Sequence, residues 1–324
     1  MRQIWITKTG APEVLEVKEA PDPEPKAGEV RIRVEASGVN FADIMGRLGL
    51  YPDLPPIPVV PGYEVSGHID AVGAGVAPDW AGRDVLAATR FGGYADTVCV
   101  PIRQVFARPP GMSALEAASI PVNYFTAWQL IVVMGGLKAN ETVLIHSAGG
   151  GVGIAATQIA KHIGARVIGT ASAAKHAELR ALGTDHLIDY RTEDFETRTR
   201  EITNGRGVEV ILDAVGGESW KKGYRVLAPT GRLGRTITSP ILTPTWKEMR
   251  LSSASLIVSS LMRVRNCKAA RTASTALGNS AKKPSPVFFT MRPPCSAITG
   301  SIAPDRSAVK RACVASSSLC ISRE

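Results

Sequence analysis

A cluster of glycines at 149–153 contains the residue types that most clearly indicate chemistry in this chain. An apolar run at 142–146 precedes it, and from 152 to about 164 the apolar residues recur at helical spacing. This order of strand, tight turn and helix lets the backbone approach a phosphate without a Cβ in the way, and it aims the amide N–H groups of a helix N-terminus at that phosphate. A glycine-rich surface turn would not need glycines three residues apart at a helix entry, so we interpret the cluster as a pyrophosphate-binding loop of a dinucleotide site. The residues predicted to contact the pyrophosphate are Gly150, Gly151, Val152 and Gly153.

Residues 121–234 alternate between short apolar runs and segments of helical periodicity. This alternation predicts an α/β domain with a parallel, doubly wound sheet of the Rossmann type. Gly216 follows the fourth strand, at the edge where ligands of such sheets bind, and we expect the backbone there to pass the nicotinamide ribose. The five predicted strands are 142–146, 166–170, 186–189, 208–213 and one that begins at 231–233.

The first 120 residues have the pattern of a separate, β-rich domain. The segment 29–36 alternates between polar and apolar residues with a period of two, as a half-buried strand does. Shorter runs at 64–72 and 94–100 are separated by Gly and Pro turns. The sequence therefore predicts two ordered domains, at 1–120 and 121–234.

The residues after the second predicted strand indicate which dinucleotide is bound. Sites that prefer NAD place an Asp or Glu about 20 residues past the glycines, where it binds the ribose hydroxyl. Here the strand ends in Gly169–Ser172 without an acid, and Lys175 follows. A lysine beside the Ser172 hydroxyl suits the 2′-phosphate of NADPH, and Tyr190 is placed to stack on or hydrogen-bond to the same end. The alternatives are a solvated lysine at a helix start and a tyrosine that packs in the core.

Charge is distributed unevenly along the chain, whose formal net charge is +9. Residues 236–324 contain 13 Lys and Arg but only three acidic residues, so the rest of the chain is close to neutral. Five cysteines without metal-like spacing indicate a reducing compartment. No run of 18 apolar residues and no apolar leader are present, so we expect a cytoplasmic protein with no membrane partner.

Several longer motifs together resemble a known family. They are Gly38–Tyr51, Leu54–Pro56, Pro61–Glu64, Val122–Ala127, the glycine cluster, Gly169–His176 and Ile188–Tyr190. On these motifs, which cover residues 1 to about 234, the chain resembles the medium-chain dehydrogenase/reductase superfamily and specifically its zinc-free quinone oxidoreductase branch. Within that branch it is similar to the vesicle amine transport protein group.

The resemblance implies a chaperonin-10-like β-domain followed by a Rossmann domain, with NADPH in the cleft between them. Zinc-dependent members have a Cys and a His at the positions that match Asn40 and Tyr63, and neither residue here is a thiolate or imidazole ligand. We therefore expect no metal. By similarity Asn40 lies near the nicotinamide, and Tyr51 matches the tyrosine that related enoyl reductases use as a proton donor. The alternative for Tyr51 is an anchor for its own loop.

The same resemblance implies a cofactor-binding role for two further residues. Asn123 and Thr126 match positions at the domain junction and are expected to contact the nicotinamide side or the phosphate side of the cofactor. The alternative is that they cap the helix predicted near 124–133.

Without a metal, removing a hydride from an alcohol is difficult, whereas reducing an electron-poor quinone or enone is easier. The expected function is therefore NADPH-dependent reduction of a small-molecule quinone or enone. The alternative is a catalytically idle or damaged NADPH-binding protein, because both would keep the glycine loop.

The resemblance ends near residue 235, where the acid-poor, Ser- and Arg-rich stretch begins. We interpret 235–324 as a disordered segment that arises from a translational frame change. A basic tail for nucleic acid is the second interpretation, but its charges are scattered and we expect no nucleic-acid partner. The Rossmann sheet would then be incomplete, and the homodimer that the family implies would be in doubt.

Overall fold

The computed structural model describes residues 1–235 and 319–322, and these residues form two compact units. One unit comprises Met1–Pro121 with the segment at 319–322, and the second begins at Val122. Among the described residues, no helix is both long enough and apolar enough to cross a bilayer.

The described residues contain thirteen strands and seven α-helices. The strands are β1 (Arg2–Ile6), β2 (Leu15–Glu19), β3 (Glu29–Val39), β4 (Glu64–Val72), β5 (Asp84–Ala88), β6 (Thr97–Pro101), β7 (Val105–Ala107), β8 (Thr142–Ile145), β9 (Arg166–Ala171), β10 (His186–Asp189), β11 (Val208–Asp213), β12 (Leu227–Arg235) and β13 (Leu319–Ser322). The helices are α1 (Phe41–Arg47), α2 (Ala114–Ala118), α3 (Pro121–Trp128), α4 (Gly151–Ile163), α5 (His176–Ala181), α6 (Phe195–Ile202) and α7 (Glu218–Val226), and α3 continues into a π-helical turn at Gln129–Met134.

The first unit is built around β3, whose residues alternate between an apolar interior and a charged exterior. Val30 and Ile32 are fully buried in a core formed with β4, β5 and β6. Arg31 and Arg33 point the other way, and their Nε atoms donate to the two carboxylate oxygens of Asp70 at 2.8 and 2.7 Å. The sheet order is β13-β3-β4-β5-β7, with β6 also paired to β3, and these pairs are antiparallel. The prediction of a β-rich first domain is confirmed.

The second unit contains a five-stranded sheet in the order β10-β9-β8-β11-β12, with parallel pairing throughout. Leu144 of β8 is paired with Ile168 of β9 on one side and Ile211 of β11 on the other, and all three side chains are fully buried. The order reverses between β9 and β11, so β8 lies at the switch point of a doubly wound fold. The predicted Rossmann sheet is confirmed.

The last strand of this sheet is longer than the sequence indicates. β12 runs over nine residues beside β11, whereas the pattern indicates a start only at 231–233. Arg232 ties it to the preceding chain, because its guanidinium donates to the Glu141 carboxylate at 2.7 Å and to the Gly135 carbonyl at 2.7 Å. Whether the sheet is incomplete depends on residues that lie outside the described part of the chain.

The predicted disorder of 235–324 also lies outside the described residues, except at two places. Residue 235 ends β12, and β13 runs antiparallel to β3 with Leu319 opposite Val39 and Ser322 opposite Ala36. Residues 319–322 therefore form a strand in the sheet of the first unit, and for the rest of 236–324 the predicted disorder stays a prediction. Strand pairing uses backbone groups, so a four-residue segment needs no long apolar pattern to join an edge that is free.

A substitution at Gly67 of β4 tests how closely β3 and β4 approach each other. A Cβ at this position would lie 1.8 Å from the carbonyl oxygen of Arg33, which is backbone and cannot rotate away. We expect Gly67→Ala to lower the free energy of unfolding in urea by about 2 kcal/mol or more. Gly223→Ala in α7 is the control, because its Cβ would lie 3.3 Å from a flexible Leu233 methyl and a helix favours alanine by about 1 kcal/mol. Equal stability of the two variants would contradict this account of the sheet.

Candidate functional site

The predicted phosphate loop of the second unit has the geometry that its glycines indicate. Ser147 takes a left-handed conformation, with φ of 54°, and turns the chain from β8 toward α4. The Gly150 amide donates to the Ser147 carbonyl at 2.9 Å, and Gly150 is the N-cap of α4. A Cβ on Gly153 would lie 2.4 Å from the same carbonyl, so only glycine lets the helix start pack on this turn. The first amides of α4, at Gly151, Val152 and Gly153, lack carbonyl partners within the helix and can bind an anion.

Lys175 lies beside this loop. Its Nζ donates to the Gly149 carbonyl at 3.3 Å, although the two residues are 26 positions apart in the sequence. Lys175 ends a short 3-10 turn that follows β9, and its amide donates to the Ser172 carbonyl at 2.9 Å. The structure therefore brings the predicted cation to the glycine loop, and Ser172 to the start of the same turn.

Tyr190 and Gly216 follow β10 and β11. The Tyr190 ring is 57% exposed, so it is not the core residue of the alternative interpretation, and the Arg191 guanidinium lies 6.0 Å from its centre. Gly216 has φ of 75°, and its amide donates to the buried Asp213 carboxylate at 2.9 Å. Because β8 to β11 are parallel, the loops that follow them lie along one edge of the sheet.

Asn123 and Thr126 lie within α3, which begins at Pro121 and thus earlier than predicted. Asn123 is the third residue of the helix and Thr126 is the sixth, so the helix begins before both of them. Asn123 is buried and Thr126 is half-buried. The Tyr124 hydroxyl donates to the Gln158 side chain, which ties α3 to α4. A cofactor role for Asn123 and Thr126 stays a prediction.

In the first unit, Asn40 is the N-cap of α1 and is held at both its backbone and its side chain. Its amide N–H donates to the Asp43 carboxylate at 2.8 Å, and its Nδ2 donates to Glu64 Oε1 at 2.9 Å. Glu64 is 1% exposed and begins β4. The Asn40 amide therefore has a fixed orientation.

Asp43 is a buried carboxylate that the sequence reasoning missed. Besides the Asn40 amide it accepts hydrogen bonds from the Gly62 amide and the Tyr94 hydroxyl, each at 3.0 Å. Burial raises the pKa of Asp43 to about 6, and the hydrogen bonds that it accepts limit the rise. The contact between Asn40 and Asp43 could have been predicted from the sequence, because the two residues have the spacing of a capping box.

Tyr51 meets Tyr63 edge to face, with the ring centres 6.1 Å apart. The Tyr63 ring also packs on Phe91, with the ring centres 5.2 Å apart. Burial raises the pKa of Tyr51, and the nearby Tyr63 hydroxyl opposes that rise. The structure thus brings both predicted catalytic residues, Asn40 and Tyr51, to the start of β4, since each contacts one of the consecutive residues Tyr63 and Glu64.

The donor set at the position where zinc-dependent relatives bind metal is unsuited to zinc. The Asn40 amide nitrogen is engaged with Glu64, and burial raises the pKa of the Tyr63 phenol, which keeps it protonated. Zinc in proteins is held by thiolate, imidazole or carboxylate ligands. In residues 1–235 and 319–322, no group of three or more His, Cys, Asp or Glu side chains could hold a metal ion. Zinc independence stays a prediction.

Comparison with known proteins matches both units. The family described as "Alcohol dehydrogenase GroES-like domain" matches residues 26–110, and "Zinc-binding dehydrogenase" matches 151–236. The synaptic vesicle membrane protein VAT-1 homolog of Danio rerio is 46% identical over 220 residues, which is 68% of this chain and 45% of that protein. The chain thus spans about half the length of the curated relatives that it matches.

Two of the similar solved structures have names that indicate a cofactor or an activity. The mycobacterial protein Rv1454c, solved in complex with NADPH, is 32% identical with a TM-score of 0.66, covering 80% of this chain and 90% of that one. A quinone oxidoreductase of Pseudomonas syringae pv. Tomato DC3000 is 29% identical with a TM-score of 0.69, covering 86% and 90%.

The ionisation of Asp43 is a direct test of the buried cluster. The pKa of Asp43 is about 6 in the folded chain, and its ordinary value is 3.8. As the pH falls, the folded chain therefore protonates Asp43 at a higher pH than the unfolded chain does. The contribution of Asp43 to the free energy of unfolding is thus most favourable at low pH and decreases by about 3 kcal/mol as the pH rises from about 4 to about 6.

We expect carboxyl ¹³C NMR, assigned with Asp43→Asn, to show a midpoint near pH 6. Asp70 is the internal control, because Arg31 and Arg33 outweigh its partial burial and hold its pKa below the ordinary value. A midpoint for Asp43 as low as that of Asp70 would show that the carboxylate is stabilised as an anion rather than penalised by burial.

Proposed function

Since the chain belongs to the medium-chain dehydrogenase/reductase superfamily, we propose that it reduces quinones or related enones by hydride transfer from NADPH, without a metal ion. The observation that carries the proposal is the presence, within one chain, of two sites with different chemistry. The second unit has an anion-binding helix start with Lys175 beside it. The first unit holds a buried amide, Asn40, and a protonated phenol, Tyr51, beside the start of β4.

The residues present fit NADPH, which when bound supplies the hydride. The amides at the start of α4 would hold the pyrophosphate, and the absence of an acid at the end of β9 leaves room for a 2′-phosphate. Lys175 would pair with that phosphate, and the exposed Tyr190 ring would cover the adenine end. The similarity to a mycobacterial protein whose structure contains NADPH supports this choice.

Reduction of a quinone or enone places negative charge on the acceptor oxygen, and that oxygen needs a hydrogen-bond donor. Tyr51 is the proposed donor, because burial raises its pKa and keeps the phenol protonated at neutral pH. The hydrogen bond to Glu64 fixes the orientation of the Asn40 amide, and that amide would orient the bound nicotinamide. An electron-poor acceptor requires no Lewis acid, and the similarity to a quinone oxidoreductase supports this substrate class.

An NADPH-binding protein without turnover is the second candidate. The observation that favours it is that the family match ends at residue 236, although 324 residues are present. Both candidates keep the glycine loop, so binding cannot separate them. Only the first consumes NADPH in the presence of a quinone.

The small-molecule acceptor is the only partner that the proposal requires. A homodimer is the assembly that the family implies, and a cytoplasmic location is predicted from the sequence; both belong to the proposal. Size-exclusion chromatography with light scattering measures the first.

Cofactor preference tests the role of Lys175. We expect NADPH to bind more tightly than NADH in a fluorescence titration, and Lys175→Ala to weaken NADPH binding by roughly 1.5–3 kcal/mol through loss of a charge-assisted hydrogen bond. Lys138→Ala is the matched control, because Lys138 is an exposed lysine that precedes β8 and so lies at the opposite end of that strand from the glycine loop. Equal affinity of the unmodified chain for NADPH and NADH would refute this assignment.

Metal content tests the proposed chemistry at Asn40 and Tyr63. We expect elemental analysis of the purified chain to find no stoichiometric zinc, and a chelator to leave quinone reduction unchanged, because neither side chain is a zinc ligand. About one zinc per chain, lost together with activity on chelation, would overturn the metal-free reaction.

A further inference from the structure

The Tyr63 hydroxyl is an unpaired polar group in a buried place. Within the described part of the chain its oxygen has no hydrogen-bond partner and no exposure to solvent. A buried O–H without a partner costs free energy, and phenylalanine would fill the same volume without that cost. The hydroxyl therefore needs an explanation beyond packing.

The position of Tyr63 is fixed by its neighbours in the chain. The Gly62 amide is held by Asp43, and the Glu64 carboxylate is held by Asn40. The Tyr63 carbonyl accepts from the Thr89 amide at 2.7 Å, and its ring packs on Phe91. With its backbone and ring both held, Tyr63 keeps its ring 6.1 Å from that of Tyr51, and its hydroxyl acts to lower the pKa of Tyr51.

We propose that Tyr63 is a positioning residue for Tyr51, and that its hydroxyl donates a hydrogen bond to the Tyr51 oxygen when that oxygen becomes a phenolate. The inference rests on the proposed function. The Tyr51 O–H bond breaks, its proton passes to the acceptor oxygen made negative by hydride addition, and the bonding electron pair stays on the Tyr51 oxygen. The Tyr63 O–H stabilises that charge until water returns a proton to Tyr51.

The charges around Tyr51 explain why such a donor is needed. Burial disfavours the phenolate, and the carboxylates of Asp53 and Asp43 disfavour it further. The Tyr63 hydroxyl and the positive charge of Arg90 act in the opposite direction. An O–H that is unpaired in the resting chain and paired after proton transfer stabilises the transition state more than the ground state.

Phenolate absorbance measures the coupling of the two residues without any cofactor. The titration of Tyr51 is obtained as the difference between chains with and without Tyr51→Phe, first in the natural background and then with Tyr63→Phe. We expect Tyr63→Phe to lower the ionisation constant of Tyr51 about tenfold, a shift of about one pKa unit. Tyr124→Phe removes a buried phenol hydroxyl from the second unit and should leave the Tyr51 titration unchanged. An unchanged Tyr51 titration in Tyr63→Phe would overturn the inference.

Thermal unfolding and kinetics supply the second arm. Because the lost hydroxyl is unpaired, Tyr63→Phe should keep its Tm or raise it by a few degrees. With a quinone acceptor it should lower kcat about tenfold at unchanged KM, with no further loss in the Tyr51→Phe background.

A lower Tm would show that the hydroxyl has a structural partner, and a rise in KM at unchanged kcat would show that it binds the acceptor directly; either result overturns the inference. Absence of turnover in the unmodified chain would overturn the proposed function and the proton transfer that rests on it, while the titration still decides whether the hydroxyls are coupled.

Discussion

One buried carboxylate, that of Asp43, determines how the first unit presents its polar side chains. It accepts three hydrogen bonds. The donors are the Asn40 amide at the start of α1, the Gly62 amide just before β4, and the Tyr94 hydroxyl in the segment before β6. Burial opposes the charge of this group, and the three donors, which come from three parts of the chain, offset part of that cost. The orientation of Asn40 and the place of Tyr63 both depend on that junction.

The second unit achieves its binding geometry by a different route. Its loop consists almost entirely of backbone, since Gly153 allows α4 to pack on the Ser147 carbonyl and leaves the first helix amides available. Lys175 adds one positive charge beside the loop, where its Nζ donates to the Gly149 carbonyl. We propose that the backbone amides and Lys175 bind the phosphate groups of NADPH, and that the buried amide and the two phenols of the first unit contact an uncharged organic acceptor.

This difference explains how much could be predicted from the sequence. The doubly wound sheet, the glycine loop and Lys175 were accessible because periodicity and glycine spacing are local signals. The contacts of Asn40 with Glu64 and of Asp43 with Tyr94 join residues 24 and 51 positions apart, and no local pattern encodes them. The strand at 319–322 was missed for a related reason, because its pairing with β3 uses backbone groups and leaves little trace in the side chains.

We propose that the chain transfers a hydride from NADPH to an electron-poor acceptor. It is tested most directly with NADPH that carries deuterium at the transferable position of the nicotinamide ring and an α,β-unsaturated ketone as acceptor. We expect NADPH to be consumed and the product, examined by mass spectrometry and NMR, to contain the deuterium on its β-carbon. NADPH that binds but is not consumed with any quinone or enone, or a product without deuterium, would contradict the account and identify the chain as a binder that does not catalyse the reaction.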